Sequence, residues 1–533
     1  MPKLFIHYRI HYRIEGITAQ FGAANLPSQT LKVMISASNR ESATAIKAVV
    51  LVALLIFAGC RMPGGRSWII PVTIDPSDLA MTPDQQDRFS ERREQVLSLL
   101  EGATLILRSE QPAALNRHQY RPNNYFYYLT GCDVPRTYMV LSDSEHPFTL
   151  SAPPESIRSM IYEGNPMQQE KMDVLFGPDR MVPFAVARRM IDSLARSGGI
   201  IYTDLSDREF AERIRRLAGE SGASRIRSVG SLVNELRVIK GSKEVERLQK
   251  ACNITSQSLV NVMRSCQPEM YEFEMEAIIE GTFLEYGAAM PGFSSIVGSG
   301  PNSTILHYEP NNRMMADGDL LLMDIGAEYG YYSADITRTI PVNGRFTREQ
   351  REIYQLVLDA QKRAIEVMLP GNPIGMGHRT AGKVILRGLY ELGLVTDTAS
   401  AWQQGFYILY PSSHYLGLDV HDVGDYGSLF YGFFQDPLLN DDNSRILEPG
   451  MVLTIEPGLY FRENGLQQLY EIYESHADSS EIARFIEEVS PVYSKYVNIG
   501  VRIEDDILIT QEGNINLSRY APKEVVDIQQ IMK

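Results

Sequence analysis

The sequence predicts a mixed α/β protein in which two domains follow an amino-terminal leader. Its 533 residues are 44% hydrophobic and 22% charged, which is enough apolar chain to bury more than one core. The carboxyl-terminal part contains acidic residues on segments that are predicted to pair as strands. Both domains also contain segments with helical patterns, which together predict a mixed α/β protein. A formal net charge of -15 with no basic, aromatic-interleaved patch gives no reason to expect a nucleic-acid partner. The composition is typical of a large enzyme.

The leader, residues 1–60, contains an apolar run. Arg40 and Lys47 precede this run, residues 48–59, which is short for a membrane span and ends in small residues before Cys60. The pattern is typical of a secretory signal. An amino-terminal anchor helix that stays uncleaved remains an open alternative.

The end of the leader indicates how it would be processed. Phe57-Ala58-Gly59-Cys60 resembles a bacterial lipoprotein cleavage site, although Phe57 stands where leucine is usual. We expect Cys60 to become a lipidated first residue, which would place the protein in the cell envelope, lipid-anchored or periplasmic. A cytoplasmic location is the alternative. Residues before Met34 resemble an extension upstream of the natural start.

The first domain is expected over residues 81–235, after a linker at 61–80. Arg88–Arg93 opens a stretch with helical character. Arg121–Gly131 is an aromatic run that periodicity alone favours as a buried strand. The region therefore predicts an α/β domain.

The second domain is expected over residues 236–533. It begins near Gly241–Glu244, where Ser242 can cap an amphipathic helix. Another long helix is predicted from Arg348 to Met368, because Pro370-Gly371 would stop it.

A pair of acids on a predicted hairpin is the most informative feature of this domain. If the chain reverses at Glu328–Tyr331, Asp324 and Asp335 become direct cross-strand neighbours on one face. Two carboxylates held together in an apolar context repel each other unless a cation lies between them. The hairpin therefore predicts a metal site.

The same spacing recurs downstream, with Gly450 before Glu456 as Gly318 stands before Asp324. Two histidines seven residues apart, His414 and His421, lie between the two pairs. An oxygen-rich set with one imidazole suits two hard or borderline ions, most simply Mn²⁺ with Co²⁺ and Zn²⁺ as alternatives, and such ions activate water for hydrolysis. The five candidate ligands are Asp324, Asp335, His414, Glu456 and Glu504.

From about Asn234 onward, these motifs resemble the pita-bread metallopeptidases, which include methionine aminopeptidase, Xaa-Pro aminopeptidase and prolidase. The matching segments are Asp324–Gly326, Asp335–Arg338, His414–Gly424, Thr454–Gly458 and Arg502–Asp505. The resemblance implies a pita-bread fold for the second domain and two divalent ions on the five ligands. It also implies that Asp335 contributes to both ions.

The first domain indicates which members of the family the chain resembles most. Its helical stretch and aromatic run look like the amino-terminal domain of aminopeptidase P and prolidase, which methionine aminopeptidases lack. Removal of the residue before proline from peptide amino termini is the implied activity. Xaa-Pro dipeptidase activity and a catalytically inactive binding module are the alternatives. The resemblance also implies a homo-oligomer, with Tyr127 near a neighbouring subunit's active site.

Four side chains receive further roles from the resemblance. His307 and His421 would line the pocket and contact substrate, and His421 would stabilise the oxyanion. Glu456 would also transfer a proton, and Arg502, on the strand face of Glu504, would support the metal site from outside.

Two departures from the family pattern stand out. Relatives often carry an extra histidine shortly before the metal histidine, whereas Tyr410–Ser413 precedes His414 here. In addition, residues 426–442 and 461–498 lengthen two connections, and a short capped helix is predicted at 480–488. Such insertions restrict substrate length in some proteins and have no effect in others.

The three cysteines after the leader form no recognisable pattern. Cys132, Cys252 and Cys266 are scattered, with neither a CxxC motif nor an even number for a disulfide framework. We expect them to be buried free thiols.

Overall fold

A computed structural model describes most of the chain and divides it into two units, Met1–Ile69 and Ile70–Lys533. The described residues are 10–14, 17–22, 32–37, 70–72, 83–109, 120–154, 157, 160–161, 169–433, 436–440 and 443–533. The predicted signal run and Cys60 lie outside them. Within the described part of the chain, no helix is both long and apolar enough to cross a membrane.

The first unit contains one antiparallel sheet of three strands in the order β1-β2-β3. The strands are β1 (Ile10–Ile14), β2 (Ile17–Gly22) and β3 (Lys32–Ala37).

The second unit begins with a six-stranded mixed sheet in the order β7-β6-β5-β4-β8-β9. Its strands are β4 (Thr104–Arg108), β5 (Tyr138–Ser142), β6 (Phe148–Ser151), β7 (Arg180–Val182), β8 (Ile201–Thr203) and β9 (Ile226–Ser228). The helices of this region are α1 (Pro83–Leu100), α2 (Asn124–Thr130), α3 (Gln169–Phe176), α4 (Phe184–Arg196), α5 (Arg208–Ala218) and α6 (Gly230–Val238). The helical stretch predicted at 88–93 lies inside α1.

The aromatic run is a helix, so its prediction as a strand is wrong. The Asn123 side chain accepts the backbone N–H of Phe126 at 3.1 Å, and Gly131 ends α2 in the left-handed conformation. Phe126 through Thr130 are buried, as predicted. The caps at both ends outweigh the strand preference of the aromatic residues.

Tyr127 is buried within its own chain. Its hydroxyl accepts a hydrogen bond from Arg247 at 2.8 Å, and its ring centroid lies 4.1 Å from that of Tyr331. The side chain therefore joins α2 to the second domain. Its proximity to a neighbouring subunit's active site stays a prediction.

The second domain consists of small antiparallel sheets, in the orders β10-β13-β14, β11-β12-β15, β16-β19-β20 and β17-β18. Their strands are β10 (Met290–Pro291), β11 (Ile296–Ser299), β12 (Leu320–Ile325), β13 (Ala327–Tyr329), β14 (Tyr332–Ser333), β15 (Ile336–Pro341), β16 (Val452–Ile455), β17 (Gly458–Tyr460), β18 (Gly500–Arg502), β19 (Asp505–Ile509) and β20 (Asn514–Asn516). The helices are α7 (Ser242–Ser265), α8 (Glu272–Glu285), α9 (Arg348–Val367), α10 (Gly375–Glu391), α11 (Ala401–Tyr407), α12 (Leu429–Phe433), α13 (Leu469–Tyr473), α14 (Ser479–Tyr493) and α15 (Val525–Ile531). Helix α7 packs against β13, β14 and β15, and α9 packs against α10.

The helix boundaries agree closely with the predictions, with one correction. Helix α7 begins at Ser242, and its N-cap is Gly241, whose N–H is accepted by the Glu244 carboxylate at 2.8 Å. Ser242 is thus the first helical residue and not the cap. The helix predicted at 480–488 lies inside α14, whose N-cap is Asp478.

The three cysteines are free and buried, as predicted. Burial raises the pKa of Cys132 and Cys266 above the usual thiol range. These thiols are therefore unreactive core groups.

Candidate metal centre

The first hairpin places its two acids diagonally and not directly opposite. In the pairing of β12 with β15, Asp324 faces Thr337, two positions from Asp335. The turn lies one residue later than predicted: Tyr329 pairs with Tyr332, and the two residues between them have positive φ angles of 57° and 72°. This is the two-residue turn that matches strand twist, and it sets the register.

Gly326 lets the two halves of this hairpin approach closely. A Cβ at this position would lie 1.8 Å from the carbonyl oxygen of Ala334, the residue before Asp335. A side chain would therefore push apart the two strands that carry Asp324 and Asp335.

The second pair does lie directly opposite. Ile455 pairs with Asp505 and Gly458 with Arg502, so the common register places Glu456 across from Glu504. Both residues interrupt their strands, and their side chains meet those of the first pair.

His414 comes from a segment that runs beside β16. Its carbonyl accepts the N–H of Thr454 at 2.9 Å, and its Nδ1 lies 3.0 Å from the Tyr415 carbonyl. Because a carbonyl can only accept, Nδ1 carries the proton and Nε2 is free to bind a metal. Nε2 lies 3.4 Å from Asp335 Oδ2 and 3.7 Å from Glu456 Oε1.

The predicted ligands therefore gather in one place. Asp335, His414 and Glu504 each offer an atom within 4.8 Å of the others, and all three are buried. Asp324 and Glu456 complete the set from its half-buried edge. One carboxylate oxygen of Asp324 and one of Asp335 are buried without a hydrogen-bond partner.

The buried carboxylates of this cluster repel one another, which favours the binding of a cation between them. Burial, Asp324 and Glu456 raise the pKa of Asp335 far above its usual range, and burial, Asp335 and Glu456 do the same for Glu504. Burial raises the pKa of Glu456 to about 7, against the opposing effects of His414 and Arg502. Divalent ions would remove this repulsion and use the unpartnered oxygens, so the residues fit a metal centre.

Arg502 connects the two acidic pairs. Its guanidinium forms an ion pair with Asp324 and donates to Thr337 Oγ1 and the Tyr460 hydroxyl, each at 3.0 Å. Thr337 Oγ1 in turn donates to Glu504 at 2.7 Å. The position of Arg502 agrees with its predicted role, whereas sequence reasoning missed Thr337 and Tyr460.

His421 and His307 lie at the exposed edge of the cluster. The ring of His421 stacks on that of His414, with centroids 4.1 Å apart. Surrounding protein, together with His414 and His307, lowers the pKa of His421 to about 4. His421 is therefore neutral near pH 7 and has one N–H to donate.

A buried ion-pair group that the sequence did not reveal anchors the histidine segment. The carboxylate of Asp422 forms ion pairs with Arg237 and, at 3.1 Å, with Lys240. Arg121 of the first domain adds an ion pair with Glu328 at 2.7 Å. No local motif links residues so distant in sequence.

The fold and this cluster define a metallopeptidase. The profile described as metallopeptidase family M24 matches residues 246–511, and the one described as aminopeptidase P, N-terminal domain, matches residues 89–202. The chain belongs to metallopeptidase family M24, in its aminopeptidase P branch, as its relatives below show.

Among similar proteins, a Xaa-Pro aminopeptidase of Escherichia coli (strain K12) is 32% identical over 473 residues, covering 85% of this chain and 99% of the relative. One of Haemophilus influenzae is 33% identical over 459 residues, covering 84% and 97%. The solved structure of Pseudomonas aeruginosa aminopeptidase PepP is 30% identical with a TM-score of 0.71, covering 84% of this chain and 98% of that one. The pita-bread fold with a separate amino-terminal domain is thus confirmed.

Proposed function

We propose that the protein is a metal-dependent aminopeptidase that hydrolyses the bond between an amino-terminal residue and a following proline. The observation that carries this proposal is the convergence of four acids and one imidazole. Two of the acids, Asp324 and Asp335, each have a buried carboxylate oxygen without a hydrogen-bond partner. Relatives that match almost over their full lengths, and that share the amino-terminal domain, are named Xaa-Pro aminopeptidases.

We propose Mn²⁺ as the ion, with Asp324 and Asp335 holding one and Asp335, His414, Glu456 and Glu504 completing the second site. Carboxylate oxygens dominate this set, and thiolate is absent from it, which favours a hard or borderline ion. When bound, such ions polarise a scissile carbonyl and make water nucleophilic at neutral pH.

The protein side chains would handle substrate and protons. Glu456 is placed to transfer a proton beside the ions, since its Oε1 lies 3.7 Å from Nε2 of His414 within the ligand set. The neutral His421 can donate its N–H to an oxygen that becomes negative, and His307, beside it, can contact the substrate. Arg502 orients Asp324 through their ion pair.

A panel of peptides tests the activity. With Mn²⁺ supplied, we expect cleavage of Xaa-Pro-Yaa tripeptides and longer peptides, and little cleavage when alanine replaces proline. Cleavage confined to Xaa-Pro dipeptides would instead indicate a dipeptidase. No cleavage at full metal occupancy would indicate a binding module, although all five ligand positions are retained here.

The proposal extends to location and assembly. The lipoprotein-like segment 57–60 supports attachment to the cell envelope through Cys60. Family resemblance supports a homo-oligomer, which light scattering of the purified protein would test.

A further inference from the structure

Tyr410 occupies a distinctive place beside the metal centre. It lies four residues before His414 in the sequence. Its hydroxyl donates to the Glu456 carbonyl oxygen at 3.1 Å and lies 2.8 Å from the Tyr460 hydroxyl. Tyr410 thus contacts the backbone of one metal ligand without being a ligand itself.

The hydrogen-bond directions make this contact part of a chain. The Tyr410 proton is used on the Glu456 carbonyl, so the Tyr460 hydroxyl must donate to Tyr410. Tyr460 is then free to accept from Arg502, which it does at 3.0 Å. The chain ends at the ion pair between Arg502 and Asp324.

Helix α11, which ends three residues before Tyr410, is held by the 461–498 segment. Trp402 on α11 lies 5.0 Å from Phe485 of α14 between ring centroids, and its indole N–H donates to Glu481 at 2.9 Å. The ring centroid of Phe406 lies 6.4 Å from that of Phe485 and 6.2 Å from that of Tyr493. We call this group the aromatic cluster: Trp402, Phe406, Tyr473, Phe485 and Tyr493.

The cluster is well packed. Phe485 is 2% exposed and Tyr493 3% exposed, and Tyr473 lies 5.9 Å from Trp402 between ring centroids. Aromatic pairs in such arrangements add about 0.5–1.5 kcal/mol each beyond their buried area. The 461–498 segment is therefore an integral support of α11 and not a loosely attached surface loop.

We propose that the 461–498 segment acts through α11 to position Tyr410, and that the Tyr410 hydroxyl in turn positions Glu456 and, through Tyr460 and Arg502, Asp324. Tyr410 is thus a positioning residue of the metal centre. In this role the 461–498 segment supports the metal ligands.

The first test removes the hydroxyl with Tyr410→Phe. We expect the affinity for Mn²⁺, measured by calorimetric titration of metal-free protein, to fall ~10-fold, which is typical when a supporting partner of a ligand is lost. In peptide assays at saturating metal, kcat should fall while KM changes little. Tyr410→His should restore part of the affinity, because an imidazole N–H can donate to the Glu456 carbonyl.

Tyr407→Phe is the matched control. It removes a buried hydroxyl from the same stretch, one that donates to the Leu394 carbonyl at 2.8 Å, away from the metal ligands. Mn²⁺ affinity should stay unchanged in this variant. Equal affinity losses in the two variants, or none in Tyr410→Phe, would overturn the positioning role.

The second test asks whether the aromatic cluster acts through Tyr410. Phe485→Leu, a mild change chosen to preserve folding, should lower Mn²⁺ affinity less than Tyr410→Phe does. The double variant should be no worse than Tyr410→Phe alone, since coupled positions are non-additive. Additive losses, or an altered KM for long peptides only, would contradict the proposed role of the 461–498 segment.

These tests depend on the proposed metal centre but not on the peptidase activity. A protein that binds Mn²⁺ normally yet cleaves no proline peptide would refute the proposed function. The affinity differences among the variants would still decide the role of Tyr410.

Discussion

Asp335 is expected to destabilise the folded protein when no metal is bound and to stabilise it when metal is bound. Its carboxylate is buried, lies among other acids and has one oxygen without a partner. An acid whose pKa is raised by folding destabilises the folded state once pH exceeds its unfolded pKa. A bound cation reverses that effect.

Asp335→Asn should therefore affect the two states oppositely. In chelator at pH 7, its melting temperature should equal or exceed that of the wild type, because the neutral amide removes repulsion. Ions present at 100 times their Kd stabilise a folded protein by about 2.7 kcal/mol each, and the variant should lose most of this gain. Thermal unfolding with and without Mn²⁺, together with elemental analysis, measures both effects; full metal content and normal turnover in the variant would refute the two-ion centre.

Asp422 makes the opposite kind of contribution. Burial alone would raise its pKa, but Lys240 and Arg237 lower it below the usual range. Its stabilisation is therefore present above the unfolded pKa of about 3.9 and is lost as pH falls through the folded value.

Asp422→Asn should leave Lys240 buried without its carboxylate and Arg237 with only the exposed carboxylate of Asp419, 2.7 Å away. We expect a loss of about 3–5 kcal/mol in the free energy of unfolding at pH 7, and a smaller difference from wild type in acid. Urea unfolding at several pH values measures this. Arg387→Ala, which breaks an exposed pair with Glu391, is the control and should change little; an equally small effect of Asp422→Asn would contradict the argument.

At the level of elements, the hairpins show what sequence patterns can and cannot predict. The spacing of Asp324 and Asp335 predicts that they meet, because a hairpin pairs residues that are close in sequence. Glu456 and Glu504 lie far apart in sequence, and the recurring spacing around them is what links them to the first pair. The register of the first hairpin was missed, since Tyr331 takes a positive φ that tyrosine rarely adopts. The caps of α2, Asn123 and Gly131, were visible in the sequence and could have identified that helix.

Contacts between distant elements could not be predicted. The ion pairs of Arg121 with Glu328 and of Arg237 with Asp422 join residues 207 and 185 positions apart. Such pairs depend on how the domains pack, which no local spacing encodes.

The close approach of strands at Gly326 gives a prediction for the first hairpin. Gly326→Ala should destabilise the fold by several kcal/mol, roughly the range for overpacking against backbone, and weaken Mn²⁺ binding. Gly281→Ala is the matched control, because a Cβ at this exposed position in α8 would meet nothing within 4 Å. The substitution also replaces glycine, which is unfavourable inside a helix. It should stabilise by about 0.5–1 kcal/mol. Chemical unfolding and metal titration measure both variants, and a stable Gly326→Ala with normal metal affinity would refute the packing argument.

For the whole molecule, composition and motifs predict the two-domain organisation and the family. The cellular location of the protein, by contrast, is predicted from the leader alone. If Cys60 is acylated, expression in a bacterium should yield a membrane-fraction protein that begins at Cys60, and Cys60→Ala should block lipid labelling. Intact-mass analysis showing an unlipidated protein that begins at Met1 or Met34 would refute this.

A titration of the metal-free wild-type protein with Mn²⁺, in which bound metal and cleavage of a Xaa-Pro-Yaa peptide are followed together, tests whether two ions drive proline-directed cleavage. We predict no cleavage before metal is added, and activity that reaches its plateau as two ions bind per chain. The same protein should leave the matching Xaa-Ala-Yaa peptide largely intact throughout. Cleavage that is independent of metal, or a plateau with no bound ion, would contradict a two-ion aminopeptidase.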